Sequence, residues 1–278
     1  MSEFLDFSSK GYLKKESFIV NELIINDVIS EWEDLQSDPS EDLRDQKFIN
    51  QPVVSVYIHK QGGKKKILPL NKLPSIIDIL NSSNVKNLFN SLNVIDKKIT
   101  LLETIIFNKP PKVSGDLHWH QDTSYFPLVP KFENNQWFLT LWLALDDVTK
   151  ENGPMQYLEG SHNLGELASV DLNTGEKYRD DDDRPLISNL NFEDDKIFTG
   201  IVNKGDLLIH NGLTLHKSLS NTSLDRDRRA LAFKFLIGDI IFKTRQGTSN
   251  FFQAERKFEE NEEFKSNCYP AYAKDKFF

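Results

Sequence analysis

The residues in this chain best suited to chemistry are Leu117-His118-Trp119-His120-Gln121-Asp122, answered far downstream by His216. In an extended strand, residues two apart share a face. That alternation places His118, His120 and Asp122 on one surface, with His120 and Asp122 as an H-x-D pair. Two imidazoles and one carboxylate on one side of a metal ion, with the remaining positions open, form the donor set of a non-haem Fe(II) oxygenase. An H-x-D on a strand is ordinarily a hydrogen-bonded surface pair, so the stronger reading depends on what surrounds it.

Strands must carry these groups. Ile99–Phe107, Trp137–Leu145, Met155–Leu158, Leu207–His210 and Ala230–Ile237 read as strands, the second apolar enough to be buried on both faces. Val53–His59 alternates as a further strand, followed by a basic turn at Gln61–Lys66. Ahead of them, Ile25, Val28, Ile29, Trp32 and Leu35 recur at helical spacing with Asn26 as the N-cap, and Ser75–Leu92 reads as one amphipathic helix. Short strands divided by turn clusters predict a mainly β fold with flanking helices, a sandwich or barrel. Gly165–Phe198, with the acidic Asp180–Asp183 run, is long and polar, as a lid or solvated loop would be.

Composition narrows the class. The 278 residues include 20 Phe and are 38% hydrophobic, enough for a sizeable core. A net charge of -8 argues against nucleic-acid binding. A single cysteine, Cys268, excludes an intrachain disulfide and a thiolate metal cluster. No apolar run is long enough to span a membrane and no signal pattern opens the chain, so the expectation is a cytoplasmic protein that is not membrane-bound.

The motifs follow one another in an order that resembles a known family. Asn108-Lys-Pro-Pro111, Trp119-His-Gln-Asp122, Tyr125-Phe-Pro127, the Trp142 strand, Glu151-Asn-Gly153 and Gly160-Ser-His162 are succeeded by Gly205-Asp206, Leu215-His216-Lys-Ser218 and Arg228-Arg-Ala230. Together they resemble the phytanoyl-CoA dioxygenase family of Fe(II)- and 2-oxoglutarate-dependent oxygenases, from about Phe4 to Ile237. The resemblance implies a double-stranded β-helix, a cupin-like jelly-roll barrel, within a single domain over 1–278. Its core would run over about 98–240, with a helical part at 1–97 and an extension at 241–278.

The resemblance also implies roles. His120, Asp122 and His216 would hold Fe(II) and form the catalytic centre, and 2-oxoglutarate and O2 would take the open positions. A guanidinium offers a fixed fork for the distal carboxylate of 2-oxoglutarate. Arg228 is the choice for it, because its strand face carries the small Ala230 and Ala232. Arg229 is the alternative, on a face with Leu231, Phe233 and Phe235. Trp142 and Ser218 resemble family residues that contact the co-substrate, and Ile105 would add an apolar wall. His118 is expected behind the metal ligands or on the substrate side, His162 as a structural residue at a strand end, and His59 and His210 as ordinary strand residues.

The implied activity is hydroxylation of a small molecule at an unactivated C–H bond, with release of succinate and CO2. Asp122 favours this over halogenation, for which relatives replace the carboxylate by a small residue. Two rivals remain: a non-catalytic jelly roll that binds or senses a ligand, and a cupin-type metal enzyme that does not use 2-oxoglutarate. Substrate and oligomeric state are not encoded in these motifs.

Overall fold

The computed structural model describes residues 3–19, 21–37, 42–43, 51–58, 65–112, 115–167, 196–243, 258–266 and 268–277. The acidic run at 180–183, most of the expected lid, His59 and Lys64 fall outside these residues. Among the described residues, no helix is long and apolar enough to cross a membrane.

The chain opens with α1 (Glu3–Lys10), β1 (Tyr12–Lys15) and α2 (Glu22–Ser37). Strands β2 (Val53–Ile58) and β3 (Lys65–Pro69) precede α3 (Pro74–Leu80) and α4 (Ser83–Ser91). The β-rich part runs β4 (Ile99–Lys109), β5 (Leu117–His120), β6 (Leu128–Pro130), β7 (Phe138–Ala144), β8 (Met155–Leu158) and β9 (Ile197–Gly200). It closes with β10 (Leu207–Asn211), β11 (His216–Ser218), β12 (Arg228–Ile237) and β13 (Ile240–Phe242).

Two sheets make the site. A seven-stranded sheet has the order β1-β10-β7-β12-β4-β2-β3, and a four-stranded sheet the order β5-β11-β8-β9. Across the space between them, Tyr157 on β8 and Phe198 on β9 pack against Tyr12, Trp142, Leu208, Ala230 and Ala232 of the larger sheet. This is the mainly β architecture expected, built as two facing sheets. The first 97 residues, expected to be mostly helical, supply three of the seven strands of the larger sheet.

The outer face of the larger sheet explains the helices. Leu231, Phe233 and Phe235 of β12 bury against Ile25, Val28 and Trp32 of α2 and Ile76, Ile79 and Phe89 of α3 and α4. Burying each such side chain contributes about 1.5–3 kcal/mol. Phe277 stacks on Phe235 with centroids 5.4 Å apart, which ties the C-terminal stretch to the same core.

Two helix expectations are corrected. The single helix over Ser75–Leu92 is two, because Asn81 ends α3 and the Ser82 hydroxyl accepts the Val85 amide at 3.4 Å to start α4. Asn26 lies inside α2 instead of capping it. Asn21 sits ahead of that helix and its side-chain oxygen accepts the Leu23 amide at 3.1 Å.

Candidate metal centre

His120 ends β5 and His216 begins β11, and the two are directly opposite in the antiparallel ladder. Asp122 follows His120 at the start of a short 3-10 turn. All three are buried, and their ligand atoms lie within 4.8 Å of one another. The His216 Nε2 is 3.9 Å from Asp122 Oδ1.

Backbone carbonyls fix both imidazoles. His120 Nδ1 donates to the His118 carbonyl at 2.8 Å, and His216 Nδ1 to the Thr214 carbonyl at 2.9 Å. A carbonyl only accepts, so each Nδ1 carries the proton and each Nε2 keeps its lone pair. Burial pushes the His120 imidazole down to about 4 and the His216 imidazole well below its ordinary value. Both are therefore neutral at pH 7, as metal ligands must be. Burial pushes the Asp122 carboxyl up, but the Lys234 ammonium and the His210 hydrogen bond overcome this and hold it well below the carboxylate range. A deprotonated carboxylate with two neutral imidazole nitrogens fits a divalent ion.

His118 does not join them. It is exposed while His120 is buried, against the strict alternation expected. The β5–β11 ladder explains this: its register shifts between the His216–His120 and Ser218–Leu117 pairs, so the two-residue period breaks across His118 and Trp119. His118 contributes its carbonyl instead.

Gln121, between the two ligands, is fully buried and anchors this turn. Its amide nitrogen donates to the Gly165 and Leu213 carbonyls at 2.8 and 2.7 Å, and its oxygen accepts the Leu167 amide at 2.7 Å.

Three further groups hold Asp122, all on the inner face of the larger sheet. Thr140 Oγ1 donates to Asp122 Oδ2 at 2.6 Å, and His210 Nε2 donates to the same oxygen at 3.0 Å. Lys234 Nζ lies 3.1 Å from Oδ1. His210 was expected to be an ordinary strand residue and is corrected to a direct partner of Asp122. Thr140 and Lys234 carried no sequence signal, because cross-strand pairing, not spacing along the chain, brings them there.

The same inner face leads away from the His-Asp-His triad to Arg228. Arg228 is fully buried, and its Nε has no hydrogen-bond partner among the described residues. Its guanidinium lies over the Trp142 ring, 5.3 Å from the centroid. Burial lowers its pKa to about 10, which leaves it cationic at neutral pH. Ala230 and Ala232 share its strand face, in the buried cluster with Trp142 and Ile105 between the two sheets. The buried Tyr157 hydroxyl, also without a partner among the described residues, belongs to the same cluster. Ser218 is buried nearby, and its oxygen accepts from Lys109 Nζ at 2.9 Å. Lys109 is the ladder partner of Arg228, so two cations stand side by side.

Arg229 points to the other side of β12. Its guanidinium donates to both Asp146 oxygens at 2.8 and 2.9 Å and to Glu33 at 3.2 Å.

The turn before β8 depends on close approach to the chain that follows β11. Gly153 has φ +88°, and a Cβ there would lie 2.7 Å from the Leu219 carbonyl and 2.8 Å from the Lys109 side chain. Only glycine fits without strain.

Fold and site together define a mainly β, jelly-roll protein with a buried His-Asp-His triad that could hold a metal ion. The family model described as phytanoyl-CoA dioxygenase (PhyH) matches residues 70–230, and the chain belongs to that family. A probable alpha-ketoglutarate-dependent hypophosphite dioxygenase of Stutzerimonas stutzeri is 28% identical over 256 residues, covering 85% of this chain and 77% of the relative. Phytanoyl-CoA dioxygenase domain-containing protein 1 of Danio rerio is 28% identical over 162 residues, covering 57% of this chain and 51% of the relative. The match thus spans about half the length of the Danio rerio protein. Among solved structures, the non-heme alpha ketoglutarate dependent epimerase SnoN from nogalamycin biosynthesis aligns with a TM-score of 0.67 at 17% identity, covering 96% of this chain and 95% of SnoN. The carbocyclase SnoK from the same biosynthesis aligns at 0.63 and 18% identity, covering 98% and 97%. At these identities the likeness is one of fold.

Proposed function

We propose that this chain is an Fe(II)- and 2-oxoglutarate-dependent dioxygenase that hydroxylates a small molecule at an unactivated C–H bond. His120, Asp122 and His216 would hold the iron, and residues 1–278 would act as one catalytic domain. The observation that carries the co-substrate half of this reading is Arg228. A buried cation whose Nε lacks a partner among the described residues is costly unless an anion from outside completes it. It lies on the inner face of the sheet that holds Asp122, on a strand face whose next residues are the small Ala230 and Ala232.

Each residue then has a task. Arg228 binds the distal carboxylate of 2-oxoglutarate through its fork of donors. Ser218, whose oxygen already accepts from Lys109, keeps its own proton free to donate to that anion. The Tyr157 hydroxyl supplies another donor to the same space. Trp142, Ile105, Ala230 and Ala232 form apolar walls that exclude water. With iron, 2-oxoglutarate and O2 bound, the centre would supply the oxidant that removes a substrate hydrogen, releasing succinate and carbon dioxide.

The test is anaerobic. Metal-free protein receives Fe(II) and then 2-oxoglutarate while the visible spectrum is recorded. A weak charge-transfer band is expected, absent in His216→Ala and weakened in Arg228→Ala. Metal binding without a band in the unaltered chain would overturn the co-substrate assignment in favour of a cupin-type metal enzyme or a binding protein. Succinate release then ranks candidate substrates. Hypophosphite belongs in that screen because one relative is a probable hypophosphite dioxygenase.

A further inference from the structure

The inner face of the larger sheet carries a polar row that crosses five strands. Direct ladder partners run Tyr12, His210, Thr140, Lys234 and Glu103 on β1, β10, β7, β12 and β4. The neighbouring row, Leu208, Trp142, Ala232 and Ile105, is apolar. The polar row lies against Asp122, and its three middle members touch that side chain.

Lys234 differs from the other two. Thr140 and His210 both hold Oδ2, so the orientation of the carboxylate does not require the lysine. Lys234 instead approaches Oδ1, the oxygen that faces His216. A divalent ion bound to that oxygen and an ammonium 3.1 Å from it repel each other.

The fold provides a second place for the ammonium. Glu103 Oε2 lies 3.6 Å from Lys234 Nζ on the adjacent strand. Glu103 lines a cavity of about 50 Å³ with Ser55, Phe126 and Tyr269. The Tyr125 and Phe126 rings flank the ammonium at 5.6 and 5.2 Å. Aromatic faces stabilise a cation between its two anions, and the lysine stem is flexible enough to shift.

We propose that Lys234 is an internal counter-cation, resting on Asp122 in the metal-free protein and passed to Glu103 when a divalent metal binds. It is a positioning residue that acts through Asp122, and it sets metal affinity below what the three ligands alone would give. The inference rests on the metal-site reading above.

The experiment is calorimetric titration of the metal-free full chain with Co(II), with the Co(II) absorption spectrum confirming an unchanged ligand set. Lys234→Met should bind about tenfold more tightly, because the competing charge is gone. Glu103→Gln should bind about tenfold more weakly, because the lysine has lost its alternative partner. In the Lys234→Met background the same Glu103 change should cost less than about threefold. Loss of mere structural support weakens binding, so tighter binding in Lys234→Met is a result that a scaffolding role does not produce.

Unchanged or weaker binding in Lys234→Met would overturn the proposal, as would an equal Glu103→Gln effect in both backgrounds. Should Lys234→Met fail to fold, Glu103→Gln decides alone, and unweakened binding sinks the idea. His216→Ala separates the two levels of argument. If it abolishes binding while the Lys234 and Glu103 variants behave like the unaltered chain, only the counter-cation is wrong. If the unaltered chain binds no Co(II), the metal-site reading and this inference fail together.

Discussion

Arg228 and Lys234 are buried cations on the same face of one strand, six residues apart, and they are solved in opposite ways. Lys234 has two carboxylates within 3.6 Å. Arg228 has an aromatic face and an Nε without a partner among the described residues. A charge removed from water must find compensation, and where the protein supplies it determines what the charge is for. Lys234 is compensated internally, by Glu103 and by Asp122, the carboxylate proposed to hold the metal. Arg228 is left for a ligand to complete. The interior thus has a satisfied end at the metal and an unsatisfied end where 2-oxoglutarate is proposed to bind.

Stability of the metal-free protein gives the largest test of that contrast. Replacing one partner of a buried ion pair strands the other, so Lys234→Met should lower unfolding free energy by about 3–5 kcal/mol. Arg228→Met removes a charge that makes no salt bridge among the described residues and feels the Asp146 carboxylate only at longer range, and its unfolding free energy should stay level or rise. Thermal melts of the two variants side by side check this. If Arg228→Met is as damaging as Lys234→Met, Arg228 is a structural cation and the contrast collapses.

Acid distinguishes the two ends next. The His120 pKa of about 4 lies below the value of about 6.5 for an unfolded histidine, and His216 is also lowered. Between these values the unfolded chain takes up protons that the native chain refuses. The stability from neutral histidines is therefore complete above pH 6.5 and is lost as pH falls toward 4. Asp122, lowered below its ordinary value, adds a further loss at still lower pH. Arg228 keeps its proton throughout this range. Metal-free melts should fall steadily from pH 7 to pH 4.5. Arg228→Met should show the same slope and His120→Ala a shallower one. An unchanged slope in His120→Ala would remove His120 as its source.

What the sequence made legible follows the range of its patterns. The strands β4, β7, β8, β10 and β12 are apolar or alternating over enough residues to be read directly. His120 and Asp122 sit within one motif, and the inner face of Arg228 is readable from the alanines at every second position. The polar row beneath Asp122 was not legible. Its five members lie on five strands, joined only by ladder register, and no local periodicity records register between distant strands. His210 was misjudged for this reason. The face that His118 was expected to share with His120 is lost because a bulge interrupts a four-residue strand. The split between α3 and α4 depends on a single serine cap inside an otherwise continuous helical pattern.

The choice between adjacent arginines is the finest form of the contrast and carries the smallest expected effect. Arg228 and Arg229 differ by one residue and therefore by one face of β12. Arg229 is paired with Asp146 and Glu33 at the edge of the helical layer, about one-fifth exposed, and those partners keep it charged. A partly exposed pair of this kind is worth about 1 kcal/mol after solvent screening. Arg229→Ala should therefore cost about 1 kcal/mol of stability and leave 2-oxoglutarate affinity unchanged. Arg228→Ala should do the reverse, leaving the melt nearly unaltered while 2-oxoglutarate binding falls about a hundredfold. Calorimetric titration of 2-oxoglutarate into the metal-loaded protein reads both variants. A drop in affinity with Arg229→Ala and none with Arg228→Ala would move the co-substrate to the opposite face of the strand, among Leu231, Phe233 and Phe235. That face is packed against the helices, with all three side chains buried in the core. The Arg228 face instead carries the small Ala230 and Ala232, which is the physical reason to expect Arg228.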